Sequence, residues 1–450
     1  ERKSLKGAKM LISFSISNWK CFRDKVTFSL VAGREKHFTE RLPRVSKYKL
    51  KTLPISAIYG ANASGKSALV SALAFAQYFI IKGTEPEQKI PLKPFLLDKK
   101  HRNRNSSFSF TILVDELIYE YSFTLSREKV IYEKLDLILK KSVKNIFERL
   151  DNGEKPKVQI NSVPKEYLSI LNLIGNNTTR NNQLFLTGTI YQNSDCFRPI
   201  YNWFKNSIVI IEPESQFIPI LSLASEKNKD LYSKLLNALD TGISDLTLQK
   251  RDVSKIEQKM LNTIFRDRIK NDEEYFMPDY GSKDRTVYRI SRDHIEANEI
   301  FSVHKDVDGE PVDFSFADES DGTNCLLDLL PAFIELKNQT GKVYIIDELD
   351  RSLHTKLSKS LLKYYLNSCN ENSRSQLIFT THDVMLMDQN TFRRDEFWVT
   401  DRSSEGVSSL YSFSDYKDIR SDKDLRKYYL QGNLKGIPRI LISELCSDID

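Results

Sequence analysis

Apolar and polar residues alternate along the first part of the chain in the way that half-buried β-strands require. The alternation from Ile12 to Ile16, with serines between, and the apolar run that resumes at Val26 predict a β-hairpin over residues 11–31. β-branched and aromatic residues between polar breaks predict a three-stranded meander near residues 108–114, 117–126 and 129–139. The N-terminal part of the chain is therefore predicted to be rich in antiparallel sheet.

Short apolar runs that alternate with helical segments form a second pattern. A β-rich run at 55–59 is followed by good helix formers from Lys66 onward. The same alternation returns after residue 285, with predicted helices and strands at 322–337, 343–346, 356–366, 377–380 and 397–399. Strands that alternate with helices predict an α/β core. Helical patterns dominate from about 160 to 275, so the two halves of this core are predicted to be separated by a helical insertion.

These patterns divide the chain into four predicted parts. Residues 1–9 are interpreted as a tag remnant or disordered tail, with Met10 as a natural start. The N-terminal half of the core with its β lobe is predicted over 10–160, the helical insertion over 161–280, and the C-terminal half over 281–450.

Composition narrows the class of protein without selecting one. With 16 glycines and 14 prolines among 450 residues, a collagen-like or linker-dominated chain is not expected. There is no long apolar run and no signal-peptide pattern, so neither a membrane span nor a membrane partner is predicted. Five scattered cysteines without a CxxC pair favour a reducing, cytoplasmic location. The net charge of +6 permits contact with nucleic acid but does not require it.

A phosphate-binding loop, or P-loop, is predicted between the strand at 55–59 and the helix that follows. The sequence GANASGKS matches the pattern GxxxxGK[ST], in which backbone N–H groups and a helix N-terminus hold a phosphate. Lys66 suits the β- and γ-phosphates, and the Ser67 hydroxyl suits Mg²⁺. The alternative is an accidental glycine turn. The predicted nucleotide-binding residues of this segment are Gly60, Ala61, Asn62, Ala63, Ser64, Gly65, Lys66, Ser67 and Ala68.

Two acidic residues, Asp347 and Glu348, follow the apolar strand predicted at 343–346. Nucleotide sites of open α/β sheets lie at the carboxyl ends of the strands, so Asp347 is a candidate ligand of Mg²⁺. Glu348 is then a candidate catalytic residue that polarises the attacking water. The alternative is an ordinary strand that leads into an acidic helix cap.

Two further polar segments are candidates for contact with a phosphate. His382 follows the strand predicted at 377–380 and is a candidate catalytic residue that bonds the γ-phosphate and the water, although a lone histidine is more often structural. Ser320 and Gly322 precede the helix predicted at 322–337, where hydroxyl and backbone groups can donate to a phosphate. The alternative for Ser320 is a simple helix cap.

The order of these motifs resembles that of the ATP-binding-cassette (ABC) heads of the SMC, RecF and OLD group. Ser67 and Asp347 are 280 positions apart, and a meander and a helical segment intervene. In that group two heads sandwich two ATPs, and the P-loop of one head faces the signature motif of the other. The resemblance implies an ABC-type ATPase head: a split P-loop core with an N-terminal β-meander lobe and an inserted helical domain.

The chain is still more similar to the stand-alone bacterial AAA-family ATP-binding proteins of abortive-infection systems, among them RloA-like proteins and the ATPase subunit of PARIS-type phage defence. The stretches that carry this resemblance are FSISNWKCF from Phe14, PFLL from Pro94, ESDGT from Glu319, DELDRSLH from Asp347, TTHD from Thr380, RRDE from Arg393 and YYLQG from Tyr428. Together they cover nearly the whole chain from Met10 to about 440.

The resemblance assigns roles to four further residues. Ser320 and Gly322 become signature residues that act on the nucleotide of a second head, with Asp321 where transporters carry glycine. His354 occupies the position of the D-loop, and Lys20 resembles the basic residue of the first hairpin that reaches a phosphate. The glutamine of the Q-loop is not assigned.

The resemblance also implies a function. ATP and Mg²⁺ close a homodimer of heads, or a higher homo-oligomer, and slow hydrolysis reopens it. A separate effector, such as a Toprim-type nuclease or an RloB-like protein, is controlled when a phage-encoded trigger is sensed. One alternative is a RecF-like ATPase that binds DNA in repair. Another is an ATP-locked scaffold with negligible hydrolysis. The basic run from Lys99 to Arg104 fits a solvated loop, a nucleic-acid contact or an acidic partner.

Overall fold

The computed structural model describes residues 9–153, 157–213, 226–265, 275–278, 285–290, 294–416 and 423–438. The chain forms two compact units. Unit 1 comprises Glu1–Pro213, Glu335–Leu349 and Lys363–Asp450, and unit 2 comprises Glu214–Ile334 and Asp350–Leu362. The predicted tail lies outside the described residues except for Lys9, which opens the first strand.

The described ranges contain twenty strands: β1 (Lys9–Ser17), β2 (Val26–Ser29), β3 (Arg44–Val45), β4 (Leu50–Lys51), β5 (Ile55–Tyr59), β6 (Ser106–Val114), β7 (Leu117–Leu125), β8 (Val130–Ile138), β9 (Val143–Leu150), β10 (Lys157–Ile160), β11 (Ile208–Ile211), β12 (Asp245–Arg251), β13 (Tyr275–Pro278), β14 (Thr286–Ile290), β15 (Ile295–Lys305), β16 (Pro311–Ser315), β17 (Val343–Ile346), β18 (Gln376–Thr380), β19 (Phe397–Arg402) and β20 (Ser408–Ser412). The same ranges contain the α-helices α1 (Lys66–Lys82), α2 (Lys165–Leu173), α3 (Phe185–Tyr191), α4 (Arg198–Ser207), α5 (Glu226–Ala238), α6 (Lys255–Phe265), α7 (Asp321–Lys337), α8 (Thr355–Leu366) and α9 (Leu425–Leu430). Every helix in this part of the chain is too short or too polar to cross a membrane.

A six-stranded sheet forms the core of unit 1, in the order β11–β17–β18–β5–β19–β20. The first five strands are parallel, and β20 is antiparallel to β19. Strands β5, β17 and β18 are buried along their whole length. Burial of both faces explains why these strands read as continuous apolar runs rather than as alternating patterns. The predicted α/β fold is confirmed.

The predicted hairpin and meander belong to a second, antiparallel sheet of unit 1, in the order β10–β9–β8–β7–β6–β1–β2. Both predictions are confirmed, and β9 and β10 extend the meander. Helix α1 packs against this sheet through aromatic rings. The ring centroids of Phe75 and Phe108 are 5.4 Å apart, and those of Phe79 and Phe123 are 6.2 Å apart. One hydrophobic core therefore joins the P-loop helix to the antiparallel sheet.

The segment predicted to be helical, 161–280, contains strands as well as helices. The four residues of β11 pair in parallel with β17 and form one edge of the core sheet. Strand β12 pairs with β15 in unit 2, so the segment is divided between the two units. The prediction failed at β11 because its apolar run is short and directly follows the amphipathic helix α4. The division of the chain at 160 and 280 stays a prediction.

Unit 2 contains an antiparallel sheet in the order β12–β15–β14–β13, with β16 paired to β15. Part of this sheet belongs to a small cluster of buried apolar side chains, in which Leu261 of α6 packs with Tyr288, Ile290 and Ala297. In the same unit, Arg251 forms an ion pair with Glu257, with Nη2 and Oε1 2.6 Å apart. Helix α7 begins in this unit, directly after Ser320.

Candidate functional site

The loop from Gly60 to Ser67 joins β5 to α1 in unit 1. Gly60 has φ +148°, and a Cβ at this position would lie 2.4 Å from Thr400 Oγ1 and 2.5 Å from Ser64 Oγ. Only glycine fits such a conformation and such close neighbours. Ser64 is buried and bonds Thr400 Oγ1 at 2.6 Å, so the underside of the loop is fixed to β19. The exposed side of the loop is formed by Asn62, Ala63 and Ser67.

Lys66 lies inside this loop. Its side chain is 5% exposed, and Nζ donates to the carbonyl oxygens of Gly60 and Ala61 at 2.8 and 3.2 Å. Lys66 is also the first residue of α1, whose N-cap is Gly65, a residue with no side chain to bond the first N–H groups. Uncapped N–H groups and a nearby ammonium attract an anion. The loop therefore has the donor set that a phosphate requires.

The two acids stand at the carboxyl end of β17, two strands away from the P-loop strand. Asp347 is buried, and its Oδ1 accepts a hydrogen bond of 2.5 Å from Thr380 Oγ1 on β18. The same hydroxyl accepts from the backbone N–H of Glu348 at 2.8 Å. Glu348 has φ +55°, a conformation that is uncommon for glutamate and often found at functional sites. Thr380 thus fixes both acids to the neighbouring strand.

His382 is exposed and follows β18 by two residues. Thr380 is opposite Ile58 in the register of β18 and β5, and Thr381 N–H donates to the Ile58 carbonyl at 3.2 Å. The strands are parallel, so His382 lies at the same edge of the sheet as the P-loop. We call Gly60–Ser67, Asp347, Glu348 and His382 the P-loop edge.

Lys20 lies within electrostatic range of the P-loop edge. Its backbone N–H donates to the Lys93 carbonyl at 2.6 Å, and its φ is +47°. Burial and the charge of Lys93 lower the pKa of Lys20, whereas the negative charges of Glu212 and Asp347 act in the opposite direction. These two carboxylates therefore favour the charged form of Lys20.

Glu212 is a residue of this edge that the sequence prediction missed. It follows β11, the neighbour of β17, and the Asp347 N–H donates to the Ile211 carbonyl at 2.9 Å. Its side chain is exposed, and its charge acts on Lys20. The signal was an apolar run of four residues that ends in an acid, the same pattern that identified Asp347.

A cleft of about 430 Å³ adjoins the P-loop. Cys21 belongs to its wall, and Cys21 Sγ is 3.1 Å from the point where a Cβ of Gly65 would lie. Apolar and cationic side chains line the cleft: Lys20, Leu92, Lys93, Phe95, Leu96, Leu97, Arg127 and Arg402. A larger cleft of about 500 Å³ in unit 1 is lined by other residues, including His37, Asp388 and Arg393. The smaller cleft is the one next to the candidate site.

The predicted signature residues lie in unit 2. Ser320 is exposed, and its hydroxyl accepts from the Thr323 N–H at 3.1 Å as a cap of α7. A Cβ at Gly322 would lie 2.9 Å from the Ser352 carbonyl oxygen, which explains the glycine by close backbone approach. His354 is exposed, and its Nδ1 accepts from the Lys356 N–H at 3.1 Å at the start of α8. The helix-cap alternative for Ser320 is therefore observed.

The predicted basic run folds back on the first hairpin. Asn18 Nδ2 donates to the carbonyls of His101 and Arg104 at 3.0 and 2.8 Å. Arg102 Nε donates to the Leu96 carbonyl at 2.6 Å. The run is thus an ordered loop beside the smaller cleft, with Lys99 and Lys100 exposed.

Comparison with protein families adds an independent observation. The family model described as "AAA domain, putative AbiEii toxin, Type IV TA system" matches residues 55–388, from the P-loop strand to beyond His382. The chain belongs to this family. As a member of the AAA-domain family it shares the P-loop ATPase domain that the motifs predicted. No curated protein matches the sequence.

Three solved structures are similar to this AAA-domain chain over nearly its whole length. The SMC head domain from Thermotoga maritima is 12% identical, with a TM-score of 0.34, over 90% of this chain and 98% of that one. An SMC head bound to the C-winged helix domain of ScpA is 14% identical, with a TM-score of 0.41, over 91% and 100%. An Smc head with an extended coiled coil, bound to the C-terminal domain of ScpA derived from Pyrococcus furiosus, is 11% identical, with a TM-score of 0.36, over 94% and 99%.

Proposed function

We propose that this AAA-domain protein binds ATP and Mg²⁺ at the P-loop edge and hydrolyses the ATP slowly. One observation carries the proposal: the P-loop and both acids lie at the carboxyl edge of one parallel sheet, with Thr380 bonded to Asp347 and to Glu348. This edge is where open α/β sheets bind nucleotides. Membership of an AAA-domain family supports the same activity.

The donor chemistry of the P-loop edge suits a magnesium nucleotide. The Ser67 hydroxyl and the Asp347 carboxylate are hard oxygen donors of the kind that Mg²⁺ prefers. In the part of the chain that the structure describes, no group of three or more His, Cys, Asp or Glu side chains is suited to hold a metal. Ser67 and Asp347 would hold the Mg²⁺, which would supply positive charge that offsets the charge of the transferred phosphoryl group.

The chain's own residues bind the phosphates and activate the water. Lys66 and the first N–H groups of α1 hold the β- and γ-phosphates, and Lys20 adds positive charge from the first hairpin. Glu348 orients a water molecule and accepts its proton, and His382 donates a hydrogen bond to the γ-phosphate or to that water. The bond from Thr380 keeps Glu348 in its left-handed conformation during this step.

The smaller cleft provides a place for the base and ribose. Cys21 of its lining lies beside Gly65, and the lining also includes the apolar side chains of Leu92 and Phe95, which would shield a flat base from water. The Arg402 guanidinium lines the same cleft and is suited to stack on a base.

Ser320, Gly322 and His354 act, in this proposal, on the nucleotide held by a second copy. The exposure of Ser320 and His354 leaves both accessible to a partner. A pair of heads that closes on ATP and opens after hydrolysis is a switch, because the closed state has the higher affinity for ATP. A homodimer, or a higher homo-oligomer built from such pairs, is the expected assembly.

The biological role that we propose is defence against phage in the cytoplasm, of the RloA-like or PARIS type. The family description names an AbiEii toxin and a type IV toxin–antitoxin system, which supports defence over repair. The nucleotide switch controls a separate effector, such as a Toprim-type nuclease or an RloB-like protein, in response to a phage-encoded trigger.

The test is ATP turnover by the purified chain with and without Mg²⁺ and DNA. We expect slow turnover that Mg²⁺ supports and that DNA leaves unchanged. Stimulation by DNA with a steep salt dependence would favour RecF-like repair instead. Equal rates for the native chain and Glu348→Gln would remove Glu348 from catalysis and favour the ATP-locked scaffold.

A further inference from the structure

The loop 316–320, which we call the Ser320 loop, is closed by one side chain of α7. Asn324 Nδ2 donates to the carbonyl oxygens of Phe316 and Ser320 at 2.9 and 3.2 Å. The Asn324 N–H donates to the Ser320 carbonyl at 3.0 Å. A single side-chain amide therefore joins the first and last residues of the loop.

The orientation of the Asn324 amide is fixed by Arg285, which directly precedes β14. Arg285 Nε and Nη2 donate to Asn324 Oδ1 at 3.2 and 3.0 Å. An oxygen that accepts from a guanidinium cannot be exchanged with the amide nitrogen, so Nδ2 must face the Ser320 loop. Arg285 is itself fixed: it is 4% exposed and forms two bonds with Asp328, of 2.6 and 3.0 Å.

A second contact holds the other side of the Ser320 loop. Glu319 Oε1 accepts from Ser302 Oγ at 2.5 Å and bonds the ring Nε2 of His304 at 2.6 Å, both on β15. The Ile300 N–H of the same strand donates to the Arg285 carbonyl at 3.1 Å. The sheet of unit 2 thus holds the loop at two points, and charged side chains take part in both.

We propose that Arg285, acting through Asn324, is a positioning residue that places Ser320 for contact with the phosphates of a nucleotide held by a second copy. This inference rests on the proposed function. Arg285 touches neither nucleotide nor water in this account. Its guanidinium selects one orientation of the Asn324 amide, and that amide selects one position of the Ser320 loop.

Unit 2 offers a second arginine, more exposed than Arg285, as a control. Arg251 makes a comparable ion pair with Glu257 at 2.6 Å and a hydrogen bond to Tyr288 at 2.9 Å. Among the described residues, none of its contacts reaches the Ser320 loop or Asn324. Arg251→Ala removes an arginine and its ion pair from the same unit, and it leaves the proposed positioning contacts in place.

Two readouts on the full chain test the proposal. ATP turnover and ATP affinity are measured for the native chain and for Arg285→Ala, Arg285→Lys, Asn324→Asp and Arg251→Ala. Hydrogen–deuterium exchange of residues 316–327 is measured without ATP. Asn324→Asp keeps an acceptor for Arg285 and removes the donor to the loop carbonyls, so it separates loop closure from folding.

We expect Arg285→Ala and Asn324→Asp to lower turnover at least tenfold, with ATP affinity within twofold of native, because a buried network with one partner removed loses its geometry. Arg285→Lys keeps the positive charge but not the planar, forked guanidinium, so its turnover should lie between that of the native chain and that of Arg285→Ala. Exchange at 316–327 should rise in Arg285→Ala and Asn324→Asp and remain native in Arg251→Ala.

Other outcomes distinguish the positioning role of Arg285 from the proposed function as an ATPase. If Arg251→Ala matches Arg285→Ala in both readouts, or if exchange at 316–327 stays native in Asn324→Asp, the positioning role is wrong. If the native chain does not turn over ATP but the exchange pattern is as expected, Arg285 still positions the loop and the proposed function fails. If turnover depends on Lys66 and Glu348 but not on Arg285, the proposed function holds and this inference fails.

Discussion

The P-loop edge of unit 1 and the Ser320 loop of unit 2 carry motif residues under different structural constraints. At the P-loop edge the N-cap of α1 is Gly65, which has no side chain to cap the helix, and Ser67 is exposed. In unit 2 the Ser320 hydroxyl already caps α7, and His354 caps α8. In the proposed function, the first region holds a phosphate within one copy and the second region contacts the nucleotide of a partner.

The largest effect should come from the catalytic acid. Glu348→Gln keeps the backbone N–H that Thr380 accepts from but removes the carboxylate that accepts a proton from water. Loss of a general base lowers a rate by about 100-fold or more. We expect that fall in steady-state turnover, with ATP affinity within about twofold of native by equilibrium titration. A rate within threefold of native would remove Glu348 from the chemical step.

A methyl group at Gly60 should break the P-loop by crowding. Its Cβ would meet Thr400 at 2.4 Å in a backbone conformation that L side chains rarely adopt. We expect Gly60→Ala to weaken ATP binding by about tenfold or more, because strain of this kind is worth roughly 1–3 kcal/mol. The control is Gly153→Ala, which also has positive φ (+92°) but open space around it. Equal loss of binding in both variants would contradict the account.

Gly322→Ala applies the same test to the second region. Its Cβ would lie 2.9 Å from the backbone oxygen of Ser352, so the start of α7 or the segment before His354 must shift. We expect turnover to fall several-fold, on the scale of 1–2 kcal/mol for an overpacked contact, while ATP affinity stays native. Gly309→Ala, with open space around it, is the control in unit 2. A loss of affinity as large as that of Gly60→Ala would show that the two regions do not differ.

The smallest effect is expected from Glu212. Its negative charge raises the pKa of Lys20, so Glu212→Gln should lower that pKa further. Lys20 would then lose its proton at a lower pH, and the alkaline fall in ATP affinity should begin earlier than in the native chain, with little change at pH 7. Titrations of ATP binding across pH check this. If the fall in ATP affinity at high pH begins at the same pH in Glu212→Gln as in the native chain, Lys20 does not contact the phosphates.

The sequence was most informative where one continuous segment carries both an element and its chemistry. The P-loop was predicted from the pattern GxxxxGK[ST], and the strands before Asp347 and His382 were predicted because each is an apolar run that ends in polar residues. Glu212 was missed because β11 becomes part of the core only by pairing with β17, more than a hundred positions away. The sequence alone does not show such a partner.

The proposed role of Arg285 could not be predicted from the sequence for a related reason. Its partners, Asn324 and Asp328, lie on a helix that is distant in sequence, and an arginine before a short strand has no pattern of its own. The same is true of Ser302 and His304, which hold Glu319. Hydrogen bonds between distant elements hold both the Ser320 loop and the P-loop, but only the P-loop also carries a sequence pattern that identifies it.

The central claim is that the P-loop of one copy and the Ser320 loop of another form one site, and a mixing experiment tests it most directly. Lys66→Ala disables the P-loop, and Ser320→Glu places a negative charge where a phosphate would approach. Each variant alone should be inactive. An equal mixture should recover about a quarter of the native turnover, because half of the pairs are mixed and each holds one intact site of two. A mixture no more active than its components would contradict the claim.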